Sequence, residues 1–269
     1  MDGLHSTMTR LLVVGASLAL TLAASAGCAA QRGTIPQGVA QADQFLFEQG
    51  QAALKDRKWM QSREYFRQIV DNYPQSPFRP DSKLAVGDTY LGENTAESLL
   101  LAINEFREFL TFYPTNARAD YAQYRLAVAF SEQMLGPERD QTATRDTIKE
   151  LDTFVQRYPN SALLEDARAL LRQSRDRLSE SIYRVGFFYY RAKWFPGAID
   201  RFREVLNDDP GFSSRDAVYF HLAESLVLTD KKAEALPYYE RVVREFEQSA
   251  FLERARARVA ELKGEPPGA

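Results

Sequence analysis

The side chains best suited to covalent or metal chemistry are scarce in this chain, which has one cysteine and two histidines among 269 residues. A thiolate can act as a nucleophile, and a histidine can act as an acid, a base or a metal ligand, but each needs suitable partners. His221 falls in a predicted helix with no cysteine or second histidine nearby, and His5 lies far away near the N-terminus. No GxSxG, HExxH or glycine-rich phosphate motif occurs. We therefore expect no catalytic residue, no metal site and no cofactor, and interpret the protein as a non-enzyme.

Cys28, the only cysteine, directly follows a segment with the layout of an export signal. Arg10 precedes an apolar run of 14 residues, from 11 to 24, and the small residues Ser25, Ala26 and Gly27 lead to the cysteine. The apolar run is shorter than the ~20 residues of a transmembrane helix. Residues 1–27 are therefore predicted to be a signal peptide that is removed.

Small residues between an apolar run and Cys28 resemble a bacterial lipoprotein signal, although Ser25 stands where leucine is usual. This resemblance implies lipidation of Cys28, which becomes the first mature residue and anchors the protein to a membrane. The alternative is an ordinary signal peptide cut near Gly27, with Cys28 left free. Residues 28–42 contain Gly33, Pro36 and few bulky side chains, so we predict a lipidated flexible linker there.

A helical pattern recurs five times along the rest of the chain. Three copies end in Tyr-Pro pairs at 73–74, 113–114 and 158–159, a fourth ends at Pro210, and a fifth ends at Glu247. Counting back from these ends, a small or short residue stands at position −12 and bulky apolar residues stand at −8, −5 and −4. These positions share one face of a helix, and proline ends a helix because it lacks an N–H group.

A second helical segment precedes each copy, so the pattern predicts helix pairs. The predicted first helices are 43–55, 79–91, 117–135, 161–192 and 214–229, and a last helix covers 250–262. We predict an all-α fold, a tetratricopeptide-repeat-like α-solenoid of about five irregular helix pairs with a long helix in the fourth repeat. The predicted organisation has repeats 1–3 at 43–160, repeats 4–5 with a capping helix at 161–263, and a disordered tail at 264–269.

Together these features resemble the BamD family of lipoproteins, also called YfiO or ComL. The stretches that carry the resemblance are Tyr73–Phe78, Asn116–Tyr124, Asp140–Arg145 and Phe154–Ser161, and it extends over about residues 40–250. The main departure within the repeats is Asp209, which replaces the tyrosine before the proline.

The resemblance implies a lipid-anchored protein on the periplasmic face of the cell outer membrane. Such a protein works in the β-barrel assembly (BAM) complex, in the folding and insertion of β-barrel outer membrane proteins. The implied partners are a POTRA domain of the barrel protein BamA, other BAM lipoproteins and unfolded outer membrane β-barrel proteins. Nucleic acid is not expected as a partner, because the net charge is −3 and no basic stripe is present.

Two sets of binding residues follow as expectations. For BamA, the resemblance implies Arg201, with Lys193, Arg203 and Asp216 as neighbours, in the C-terminal repeats. The N-terminal repeats are implied to hold substrates, whose barrel strands are rich in aromatic residues, so aromatic and polar side chains should line their groove. The candidates for that groove are Phe45, Gln49, Phe78, Lys83, Asp88, Tyr90, Tyr121 and Arg125.

Another class of exported repeat lipoprotein remains open, one that coordinates cell-envelope and peptidoglycan processes or assembles a secretion or pilus system. Such proteins often have shorter and more regular repeats. The proline spacings of 40, 45 and 51 residues and the long helix at 161–192 favour the BamD-type interpretation.

Overall fold

The computed structural model describes residues 41–264, which form eleven helices and no strand. The predictions for the signal peptide, for lipidated Cys28, for nearly all of the linker and for residues 265–269 of the tail lie outside the described residues. The helices are α1 Ala42–Lys55, α2 Trp59–Asn72, α3 Arg79–Glu93, α4 Ala96–Phe112, α5 Ala119–Ser131, α6 Thr142–Arg157, α7 Leu164–Arg191, α8 Phe195–Asp208, α9 Arg215–Val227, α10 Lys232–Glu245 and α11 Leu252–Lys263.

The predicted all-α, tetratricopeptide-repeat-like fold is confirmed, with helix pairs α1–α2, α3–α4, α5–α6, α7–α8 and α9–α10 followed by α11. The long helix predicted at 161–192 is α7, a helix of 28 residues. The helix predicted at 117–135 is shorter than expected, because α5 ends at Ser131 and the backbone N–H of Gln133 turns back to the Phe130 carbonyl. Across residues 41–264, no helix combines the length and the apolar character needed to cross a bilayer.

The described residues divide into two compact units, one ending at Ser82 and the other beginning at Lys83. In the first unit, α1 approaches α2 closely, because Gly50 has no side chain where the ring of Phe66 lies. The hydroxyl of Ser62 donates to the Gly50 carbonyl at 2.8 Å, which fixes the same contact. The functional boundary predicted at 160/161 does not coincide with this division and stays a prediction.

In the second unit, each helix from α4 to α11 packs against the next along the chain. Glycines again permit close approach of neighbouring helices. A Cβ atom at Gly87 would lie 2.7 Å from the ring of buried Phe106, and one at Gly186 would lie 2.8 Å from the ring of buried Phe202. The phenylalanines stand at position −8 of the repeat, so that position fills the gap opened by the small residue on the partner helix.

Asp209 gives the end of α8 a different anchor from the ends of α4 and α6. At those ends, Tyr113 packs on Phe109 and Tyr158 packs on Phe154. The carboxylate of Asp209 instead accepts hydrogen bonds from both terminal nitrogens of Arg172 and, at 2.8 Å, from the hydroxyl of Ser179. Burial alone raises the pKa of Asp209, but these hydrogen bonds outweigh burial and leave the pKa below its ordinary value. The anchor ties the end of α8 to the middle of the long helix α7.

A second buried carboxylate holds the last helix. Glu224 on α9 accepts hydrogen bonds from Arg258 on α11 at 2.8 and 3.1 Å and from the hydroxyl of Tyr239 on α10 at 2.5 Å. Burial raises the pKa of Glu224, but the hydrogen bonds have the larger opposite effect. The pKa therefore lies below its ordinary value, and the carboxylate remains charged. One side chain therefore joins three consecutive helices at the C-terminal end of the second unit.

Candidate functional site

Three of the residues predicted for the substrate groove meet between α3 and α5 in the second unit. The hydroxyl of Tyr121 donates to Asp88 Oδ2 at 2.8 Å, and Arg125 Nε donates to Asp88 Oδ1 at 2.7 Å. The guanidinium group of Arg118 lies 4.5 Å from the centre of the Tyr121 ring. We call Asp88, Arg118, Tyr121 and Arg125 the Asp88 cluster.

The electrostatics of the Asp88 cluster follow from its burial. Burial raises the pKa of Asp88, and Arg125 and Tyr121 offset only part of that effect. Burial and the neighbouring carboxylate also raise the pKa of Tyr121, so its hydroxyl stays protonated as a donor. Because both oxygens of Asp88 are already occupied, the cluster offers a partner a tyrosine ring and arginine N–H groups rather than a free carboxylate.

The other groove candidates in the second unit serve the structure. The Lys83 amine contacts the carboxylates of Glu105 and Glu108 on α4 at 2.5 and 2.6 Å. Tyr90 is only 6% exposed. The expectation that Tyr90 lines a binding surface is therefore wrong, because α3 turns this ring into the core.

Three groove candidates lie in the first compact unit. Phe45 and Gln49, one helical turn apart on α1, are half-buried. Phe78 stacks on Phe47 with ring centres 4.9 Å apart. The side chain of Phe78 therefore packs the segment that follows α2 against α1. Phe45 and Gln49 remain the candidates with accessible side chains.

Arg201 lies on the exposed side of α8 at a cleft of about 810 Å³. The cleft is bounded by α7, by α8 and by the loop that precedes α6. Arg201 forms an ion pair with Glu204 at 2.5 Å. A Cβ atom at Gly186 would lie 3.1 Å from the Cβ atom of Arg201. The close packing of α7 against α8 therefore sets the position of the Arg201 Cβ atom.

The other residues predicted for BamA binding do not line this cleft. Lys193 is exposed in the turn between α7 and α8, where its φ is 62°. Arg203 pairs with Glu234 on α10 at 2.9 Å, and Asp216 accepts a hydrogen bond from Ser249 before α11 at 2.6 Å. Of the four predicted residues, only Arg201 lines the cleft.

The sequence reasoning did not single out an exposed apolar surface beside Arg201. Phe188 is 66% exposed and Trp194 is 55% exposed, and Val185 lies one turn before Phe188 on α7. A compositional signal could have identified this surface, because residues 181–199 contain seven aromatic and three basic residues and no acidic residue. In the described part of the chain, histidine, cysteine and acidic side chains form no group of three that could hold a metal ion.

Comparison with protein families gives one match that covers most of the chain. The model of the YfiO family, described as outer membrane lipoprotein, matches residues 39–235. This range includes α1 to α9, the Asp88 cluster and the cleft at Arg201.

Among curated proteins, the chain is similar to outer membrane protein assembly factor BamD of Caulobacter vibrioides, with 31% identity over 193 residues. The aligned part covers 71% of this chain and 62% of the Caulobacter protein. It is also similar to BamD of Rickettsia prowazekii, with 25% identity, 72% of this chain and 76% of the relative. Among solved structures, the TPR2AB domain of yeast Sti1 gives a TM-score of 0.45 with 12% identity, covering 84% of each chain.

Proposed function

The chain belongs to the YfiO family of outer membrane lipoproteins, and from that premise we propose that it is a non-catalytic assembly factor for outer membrane proteins. In this role it is a scaffold of the BAM complex that binds BamA and unfolded β-barrel substrates. The observation that carries the proposal is the family match over residues 39–235, together with relatives named outer membrane protein assembly factor BamD.

For BamA, the proposed docking side is the cleft at Arg201. A guanidinium group can bind a partner carboxylate through two parallel hydrogen bonds. Arg201 is exposed and already oriented by Glu204, which sits one turn further along α8. Arg203 and Asp216 contact other elements, and Lys193 does not line the cleft, so we assign them secondary roles at most in this contact.

For unfolded substrates, the proposed contacts in the second unit are the ring of Tyr121 and the guanidinium groups of Arg118 and Arg125. Aromatic side chains and arginine are suited to aromatic-rich strands, because rings stack and guanidinium groups pair with carbonyl groups and ring faces. Asp88 acts here through Tyr121 and Arg125, which it holds in place. Phe45 and Gln49 are the proposed contacts in the first unit.

The proposed location is the periplasmic face of the outer membrane, with lipid on Cys28 as the anchor. Acyl chains contribute about 0.8 kcal/mol of membrane binding per buried CH₂ group, so two or more chains anchor a protein firmly. The family description supports this location.

The test is purification of the full-length lipidated protein from its own membranes in mild detergent, followed by identification of its partners. We expect BamA and other BAM subunits to copurify. We also expect Arg201→Glu to reduce BamA recovery without unfolding the protein. Arg168→Glu is the matched control, because Arg168 is also an exposed arginine paired with a glutamate three residues away.

Two results would contradict the proposal at different levels. Recovery of septal, peptidoglycan, secretion or pilus proteins in place of BamA would remove the assembly function itself. Equal BamA recovery with Arg201→Glu and Arg168→Glu would remove only Arg201 from the contact and leave the assembly function standing.

A further inference from the structure

Three rings form a continuous aromatic surface at the C-terminal end of α7. The ring centres of Phe188 and Tyr189 are 5.9 Å apart, and those of Tyr189 and Trp194 are 4.5 Å apart. The two outer rings are exposed, and Tyr189 between them is half-buried. We call Phe188, Tyr189 and Trp194 the aromatic ridge. Isolated exposed apolar residues are ordinary, whereas a contiguous exposed patch marks a binding surface.

Two residues of the aromatic ridge, Phe188 and Tyr189, line the cleft at Arg201 together with Val185. The charged residues of the lining are four arginines and three acidic residues. The arginines are Arg139, Arg145, Arg184 and Arg201, and the acidic residues are Glu138, Asp140 and Glu204. An apolar wall beside a group of arginines has the composition of a protein-binding hot spot.

The walls of the cleft are fixed before any partner binds. The Gln141 side chain donates to the carbonyl groups of Gly136 and Arg139 at 2.8 and 3.0 Å, which holds the loop before α6 in shape. An ion pair between Arg184 and Glu138 ties this loop to α7. A preformed surface loses little conformational entropy on binding, so more of the contact energy appears as affinity.

We infer that the aromatic ridge and the cleft together bind a protruding polypeptide segment that carries a carboxylate beside an apolar side chain. The inference rests on the proposed function, which supplies BamA as the partner. The carboxylate pairs with Arg201, and the apolar side chain packs on Phe188 and Val185. A concave cleft suits a protruding segment, whereas a flat bilayer surface would reach only the outer ring edges.

Phe188 is the main anchor in this arrangement, and Arg201 supplies orientation. Covering the Phe188 ring removes a large apolar surface from water and shields the neighbouring arginine, which strengthens its pairing with a carboxylate. A rim arginine that stays wet contributes little by itself. The aromatic ridge, which family resemblance did not supply, therefore carries more of the affinity than the arginine beside it.

The experiment measures binding of the soluble POTRA domains of BamA from the same bacterium to the intact mature chain and to two single variants. Phe188→Ala should weaken binding by about 30-fold, the loss typical of a hot-spot residue. Phe112→Ala is the matched control, because Phe112 lies on α4 and is 69% exposed. Neither ring is in the core, so both variants should keep the wild-type circular dichroism and melting temperature.

Each outcome supports or overturns the inference. Weaker POTRA binding by Phe188→Ala, together with wild-type binding by Phe112→Ala, supports the inference. Equal binding by the two variants overturns the inference and leaves the proposed function standing, whereas no binding by the wild type overturns both. Vesicles of phosphatidylglycerol serve as a second probe. If the wild type bound these vesicles, and Phe188→Ala abolished vesicle binding but left POTRA binding unchanged, the aromatic ridge would be reassigned to the membrane surface.

Discussion

Replacing Gly186 by alanine should destabilise the second compact unit, although alanine is the better helix former. An added Cβ would lie 2.8 Å from Cε1 and 2.9 Å from Cδ1 of Phe202, and both distances are too short for carbon atoms in contact. Phe202 is fully buried and cannot swing away, because the rings of Tyr183 and His221 pack against it. The helices α7 and α8 must therefore move apart.

Two opposing effects set the size of the change. Gly-to-Ala in a helix interior stabilises by about 1 kcal/mol. Overpacking a well-filled core costs about 1–3 kcal/mol, and a ring held on both sides favours the upper part of that range. We therefore expect a net loss of about 1–2 kcal/mol in the free energy of unfolding, which corresponds to a melting temperature about 2–8 °C lower for a unit of this size.

The measurement is urea unfolding followed by circular dichroism, with a lower midpoint and an unchanged m value as the expected result. Gly92→Ala is the control, because Gly92 is an exposed glycine near the end of α3. Because Gly92 is exposed, we expect the helix-forming gain to act alone there, so the protein should be as stable as the wild type or slightly more stable. A gain in stability with Gly186→Ala would refute the close-packing argument, since the added methyl group would then have found space.

Three further changes can be tested, each with its own measurement. Glu224→Ala should cost about 1–3 kcal/mol, because it leaves the buried Tyr239 hydroxyl and the partly buried Arg258 without their shared acceptor. Glu261→Ala, which removes an exposed partner of the same Arg258, should cost less than about 0.5 kcal/mol; equal urea midpoints for the two variants would show that the buried carboxylate is not the anchor of α11. Burial among aromatic rings lowers the pKa of His221, so the unfolded chain takes up this proton first as the pH falls. Stability should therefore decrease below pH ~6.5 and level off below the lowered pKa. His221→Gln should flatten the stability profile in that range, and an unchanged slope in thermal melts would place the titrating group elsewhere. Cys28→Ser should shift the protein from the membrane fraction to the soluble fraction, and retention in membranes would argue against the lipid anchor.

The helix pairs could be predicted from the sequence because their determinants are local. Each copy of the pattern lies within or directly after a single helix: a small residue at −12, bulky residues at −8, −5 and −4, and in four copies a proline at the end. The periodicity of the sequence therefore indicates these helices directly. Gly50 and Gly87 lie within the predicted first helices 43–55 and 79–91. The ring that each glycine accommodates became evident only when Phe66 and Phe106 were placed opposite them.

The anchor at Asp209 could not be predicted, because its partners come from distant positions. Arg172 lies 37 residues earlier in the chain, and neither residue stands out from the many charged residues on helix faces. In sequence, Asp209 is merely a departure from the tyrosine found at the first three repeat ends. A buried carboxylate needs donors, and the length of α7 places Arg172 and Ser179 within reach.

The candidate sites show the same division between local and non-local information. Tyr90 and Tyr121 are both tyrosines in predicted helices, and either could have faced a partner. Packing decides between them, since Tyr90 is buried and Tyr121 reaches Asp88 at the edge of the core. Phe188 went unrecognised for the opposite reason, because a large apolar residue in a helical pattern suggests core, whereas Phe188 is exposed among residues 41–264.

Two neighbouring positions on α7 separate stability from binding. Gly186 faces α8, where its lack of a side chain sets the position of both Phe202 and the Cβ atom of Arg201. Phe188 is two residues further on, about 200° around the helix, and faces solvent. A change at Gly186 should therefore alter stability and the proposed BamA contact together, because moving α8 also moves Arg201. A change at Phe188 should alter binding alone. If the two variants had the same effects on both properties, the cleft and the helix packing would not be linked through Arg201 as the geometry requires.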